Sequence, residues 1–121
     1  MRVFIHDKVF GRRIFVSSGE KPAALLNAIA RAGYDTDGLD DRIALAEDAD
    51  GRFIGHGSLG VIVLRSLRRG NARDVAVLAH EAAHAAVWLF DSIEEEVCPQ
   101  HDEPFAYFVG FIVRETLEGA W

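Results

Sequence analysis

The sequence predicts an α+β fold: a small, mostly antiparallel sheet packed on helices, with one central helix carrying the chemistry. Three observations lead there. Strand-like segments fall in the first half of the chain, and long helical patterns fill the second. The chain has 121 residues, which suits a single domain spanning 1–121. Half of its residues are hydrophobic and about a quarter are charged, an ordinary globular balance that excludes a disordered or collagen-like chain.

The elements follow in order. Residues 2–6 alternate weakly and read as a short strand. Arg13, Ile14, Phe15, Val16 and Ser17 are rich in β-branched and aromatic types and read as a second. Pro22 suits a first helical turn, and Leu25, Leu26, Ile29 and Ala30 form one stripe, so a helix is expected over 22–32, stopped by Gly33. Residues 34–41 read as an Asp- and Gly-rich loop. Ile43, Ala44, Leu45 and Ala46 suggest a strand over 42–47, joined through the turn 48–51 to a return strand at Arg52, Phe53 and Ile54. The stretch 55–60 has three glycines and is expected to be irregular. Val61, Ile62, Val63 and Leu64 make the strongest strand, apolar throughout and so buried on both faces. A long helix is expected over 71–90 with Asn71 as its cap, then a loop, then a last helix over 103–118 with Asp102 as cap and Pro104 in the first turn.

Charge and cysteine content narrow the function. The formal net charge is −6, and no Lys/Arg run exceeds a pair. A nucleic-acid partner is therefore not expected, because phosphate contacts supply most of that affinity. Cys98 is the one cysteine, so no intrachain disulfide forms. The first residues carry charge too early for a signal peptide, and no apolar run reaches the roughly 20 residues a membrane helix needs. A cytoplasmic protein with no membrane partner is expected, its oligomeric state open.

One motif carries chemistry. His80-Glu81-Ala82-Ala83-His84 is HExxH inside the predicted 71–90 helix. Residues four apart return to within about 40° of each other on a helix, so both imidazoles converge on one side. Glu81 lies on the flank of that face, where it reaches a metal-activated water and acts as general base. The rest of the helix reads as apolar nearly all round, which predicts burial. Buried imidazoles and a buried carboxylate need partners, and a Zn2+ ion satisfies all three.

A catalytic zinc also needs a third protein ligand. Glu103 is the choice, because the first turn of the last helix fixes a ligand better than a loop does. His101 is the runner-up. Glu94, Glu95 and Glu96 read as a solvated loop, Asp102 as a cap and Cys98 as an ordinary thiol. Tyr107 lies one turn after Glu103 and reads as a half-buried core tyrosine, with an oxyanion hydrogen bond as its other role. Asp74 reads as a helix-start residue, His56 as a turn residue and His6 as a strand histidine. Trp88, Phe105, Phe108, Phe111 and Trp121 read as packing residues.

Over residues 61–117 the order of strand, HExxH helix and glutamate-led helix (Glu103-Pro104-Phe105-Ala106-Tyr107) resembles the zincins, the HExxH zinc metallopeptidases. Within them it is similar to the compact glutamate-liganded type near ImmA/IrrE-like peptidases, and to small HExxH proteins of bacteriophages and prophages. The resemblance implies His80 and His84 as zinc ligands, Glu103 as the third and Glu81 as the base. It also implies an edge strand before the helix that binds extended peptide, here 61–64. Phe90 stands where the metzincins carry a third histidine, so that branch does not fit. Residues 100–105 match the SprT-type element only loosely.

The expected function is a zinc-dependent metallopeptidase acting on a protein or peptide substrate. The alternative is a catalytically inactive zincin-like module that holds metal and serves regulation or protein interaction.

Overall fold

The computed structural model describes residues 1–120; Trp121, read above as a packing residue, lies outside them. The elements are β1 (Arg2–Asp7), β2 (Arg12–Ser18), α1 (Pro22–Arg31), α2 (Leu39–Ala44), β3 (Gly51–His56), β4 (Leu59–Leu64), α3 (Ala72–Ser92) and α4 (Glu103–Ala120). The fold is α+β, with four strands in the order β1-β2-β4-β3. β1/β2 and β3/β4 pair antiparallel, and β2/β4 pair parallel. The parallel pair needs a crossover, and α1, α2 and β3 supply it.

Period-2 alternation divides the sheet's side chains between two cores. Ile14, Val16, Ile62 and Leu64 meet Leu78, Ala82, Ala85 and Leu89 of α3 and Phe108 and Ile112 of α4. Phe15, Leu59, Val61 and Ile54 point the other way, onto Leu25 and Ile29 of α1 and Leu39 and Ile43 of α2. β4 is therefore covered on both faces, as its apolar run predicts.

Two expectations are corrected here. Residues 42–47 are not a strand: α2 ends at Ala44 and turns continue to Asp48. Leu39, Ile43 and Ala46 are buried at spacings of four and three, a helical stripe, while Leu45 is 69% exposed. The hairpin accordingly lies elsewhere. The glycine-rich stretch is its turn: His56 pairs with Leu59 around Gly57 and Ser58. Gly57 has φ +60° at the first loop position, as a II′ turn requires.

α1 stops as expected, with Gly33 at φ +94° and the Tyr34 N–H donating to the Ile29 carbonyl. α3 starts on Asn71, whose side chain accepts from the Asp74 N–H at 3.0 Å. Asp74 does more than sit at a helix start. Its carboxylate accepts from the Arg68 backbone N–H and Nε, both at 2.8 Å, and from Ser66 Oγ at 3.1 Å. It thereby folds the β4–α3 loop onto the first turn of α3. The Arg68 hydrogen bonds, side chain first and backbone second, hold the Asp74 carboxyl well below the usual carboxylate range. A depressed folded-state value stabilises the fold above the unfolded carboxylate pKa, about 3.9, and that contribution disappears as pH falls. Thermal melts from pH 7 down to pH 3 are expected to show Asp74→Asn starting below the natural protein and losing less on acidification. Parallel curves would remove Asp74 from the acid response.

Candidate metal centre

α3 brings the motif together. His80, Glu81 and His84 place one ligand atom each within 4.8 Å of one another. The two Nε2 atoms are 3.2 Å apart, with the rings 73° from coplanar. Two nitrogens on one tetrahedral zinc at about 2.0–2.1 Å stand roughly 3.3 Å apart, so the imidazoles match the edge of such a site. The donor set, two imidazoles and a carboxylate, is the chemistry zinc accepts. The two imidazoles fit the ion, and the Glu81 carboxylate beside them can serve either as its third ligand or as a base next to it.

The expected burial of all three side chains does not hold. Glu81 is buried, but His80 and His84 are exposed. They lie on a solvent stripe with Ala76, Val87 and Asp91, at helical spacings. The stripe reads as apolar because Ala76 and Val87 are apolar, yet nothing in the described residues covers it. Desolvation of the histidines therefore gives no argument for a metal, and geometry alone carries it.

Glu103 is not brought into this group. Its carboxylate is not among the ligand atoms that gather within 4.8 Å. It is exposed at the start of α4 and lines a separate cavity of about 370 Å³ with His101, Glu95, Phe10 and Phe90. The packing explains this. The Phe105 ring sits 5.9 Å from Phe90. Phe90 is six residues past His84, about 120° round the helix and about 9 Å along it. His101, the runner-up, shares that second cavity. Tyr107 is 58% exposed and stacks on Phe111 at 6.3 Å, so it is not a half-buried core tyrosine. His56 closes β3 with Nε2 2.8 Å from the Asp35 carbonyl oxygen. His6 is exposed on β1, and Cys98 is a free thiol.

The motif opens on a cleft of about 510 Å³ between α3 and β3, lined by Gly51, Arg52, Phe53, Glu81, His84 and Trp88. Sequence reasoning missed the strand side of it. β4 lies between β2 and β3, so residues 61–64 are not an edge; β3 is. The Asp50 carbonyl accepts from the Arg65 N–H, which fixes the hydrogen-bond parity of β3 against β4. By that alternation the peptide groups of Gly51, Phe53 and Gly55 face away from β4. The same three positions face α3. A Cβ at Gly51 would lie 2.6 Å from Val77 Cγ1 and 3.0 Å from Glu81 Cγ, and one at Gly55 would lie 2.6 Å from the Trp88 ring. The pattern Gly-x-Phe-x-Gly, glycines four apart on one strand face, is the signal that was available.

Compared with known proteins, the chain matches no family model, no curated protein and no solved structure. Among the described residues no helix is long and apolar enough to cross a membrane.

Proposed function

We propose that the protein is a metal-dependent peptidase, zinc being the ion its donors suit best. The observation that carries this reading is the 3.2 Å approach of the His80 and His84 Nε2 atoms beside the buried Glu81 carboxylate, at a cleft bounded by a free strand edge. Bound there, zinc supplies Lewis acidity, polarising a carbonyl and lowering the pKa of water towards about 7.

The chain's own residues do the rest. The outward peptide groups of Gly51, Phe53 and Gly55 hold an extended substrate by strand addition, and Phe53 and Trp88 supply apolar contact. His80 and His84 hold the ion on the open side of the cleft. Glu81, on the flank of the same helix, takes the proton of the attacking water and delivers it to the leaving amine.

The alternative, a metal-holding module without turnover, is favoured by one observation: Glu103 lies at a different cavity, leaving His80, His84 and Glu81 as the protein donors. Metal analysis comes first for both readings. Protein purified without a histidine tag is expected to carry about one zinc per chain, and His84→Ala to carry none. Neither Nδ1 has a protein hydrogen-bond partner among the described residues, so affinity is expected to be about 10–100-fold below that of a buttressed site, and zinc is to be added back before assay. No uptake after add-back sinks both readings.

A further inference from the structure

We propose that β1 pairs antiparallel with β1 of a second copy of this chain, register centred on Phe4, joining two four-stranded sheets into one of eight.

The Ser18 N–H donates to the Met1 carbonyl at 2.9 Å, and the Met1 terminal ammonium donates to the Ser18 carbonyl at 3.0 Å, so the two are two-bond partners. In an antiparallel pair such two-bond partners recur at every second residue. Val3, Ile5 and Asp7 therefore spend their peptide groups on β2, with partners Val16, Ile14 and Arg12. Arg2, Phe4 and His6 point theirs outward, and β1 has no strand beyond it.

A two-fold axis perpendicular to the sheet keeps each face on its own side, so outward residues meet outward residues. Centred on Phe4, Arg2 faces the second copy's His6, Phe4 faces its own counterpart, and His6 faces Arg2. All three outward residues are then used, giving six hydrogen bonds by this count. Sliding by one pair in either direction leaves one of the three without a partner in the strand. The register is thus set by the strand itself.

The side chains agree. Phe4 is 47% exposed although it stacks on Phe15 at 4.3 Å, and pairing covers the remainder against a second aromatic ring. At each end Arg2 faces the other copy's His6, two basic side chains, and the Glu20 carboxylate bound to Arg2 at 3.1 Å offsets the guanidinium charge. β1 has no proline, no lysine and no bulge, Val3, Phe4 and Ile5 favour strand, and its charged residues, Arg2 and Asp7, stand only at its two ends. A groove of about 400 Å³ runs beside it beneath Phe111, Glu115 and Glu118 of α4, which leaves room for a neighbouring strand. β3, the other edge, has glycine at two of its three outward positions and is the poorer self-pairing strand.

The test is mass in solution together with a register-specific crosslink. Light scattering on the natural chain is expected to give twice 13.3 kDa, moving to 13.3 kDa on dilution. His6→Pro removes only an outward N–H, which an edge strand tolerates, and is expected to give a monomer with unchanged circular dichroism. In a Cys98→Ser background, Phe4→Cys is expected to form an intermolecular disulfide, since two-bond partners sit about 5.5 Å apart at Cα, inside the bridging range. Ile5→Cys, facing the core, is expected to form none. The crosslink stands even if His6→Pro fails to fold. A natural chain of 13.3 kDa at every concentration overturns the proposal. So does a dimer in which Phe4→Cys fails to crosslink, because the contact then lies elsewhere.

Discussion

Glu81→Gln is expected to keep the metal and lose between about a hundredfold and ten-thousandfold in peptide hydrolysis, the range removal of a general base produces. The two side chains are nearly the same size, so the packing against Gly51, where a Cβ would come within 3.0 Å of Glu81 Cγ, is preserved. What changes is the ability to accept a proton. Glu81 is buried, on the flank of the helix that carries His80 and His84, and its carboxylate lies within 4.8 Å of both imidazoles. That closeness allows two roles, base or ligand, and the substitution separates them. A base gives full metal content without turnover. A ligand gives metal loss as well, because a neutral amide is a poorer donor than a carboxylate. A fluorogenic peptide mixture and elemental analysis on the same preparation read both. Undiminished turnover with full metal content would falsify the proton-transfer role.

The long helices were legible because their signals are local. α3 carries its Asn71 cap, α4 has an acidic and proline-bearing first turn, and both have apolar positions at helical spacing, all of which act within a few residues. HExxH was legible for the same reason: four residues on one helix set the relation of His80 to His84. The relation of Glu103 to that pair is different. It depends on where the 93–102 connection lets α4 begin, and the packing of Phe105 on Phe90 decides it. Strand order is also non-local. Residues 61–64 read correctly as a buried strand, but nothing in their own composition says that β3 rather than β4 forms the edge. α2 was misread because Ile43-Ala44-Leu45-Ala46 fits either period over so short a run. The exposure of His80 and His84 was misread for a simpler reason. Alanine is apolar enough to resemble a core face and small enough to sit in water at little cost.

The second large effect belongs to the glycines of β3. Gly51→Ala and Gly55→Ala are each expected to lower stability by about 1–3 kcal/mol, the usual range for overpacking a filled interior. At this chain length that is roughly 3–6 °C in melting temperature for each kcal/mol. The physical cause is the closeness of α3 to the edge strand. At Gly55 the added carbon lands 2.6 Å from Cδ1 and Nε1 of Trp88, an indole already held by Phe53 at 5.5 Å and by the Arg12 guanidinium at 5.9 Å. The ring has little freedom to yield, so the strand and helix must separate. At Gly51 the added carbon meets Val77 at 2.6 Å and the Glu81 side chain at 3.0 Å. The two substitutions then part company. Gly55→Ala should change the tryptophan emission, read in a Trp121→Phe background, and leave metal uptake intact. Gly51→Ala presses on the base itself, so turnover should fall further than the loss of folded protein explains, while His80 and His84 still take up the ion. Equal losses of stability and turnover in both variants would show that β3 merely packs on α3. An unequal loss, confined to Gly51→Ala, would place Glu81 at the working end of the cleft.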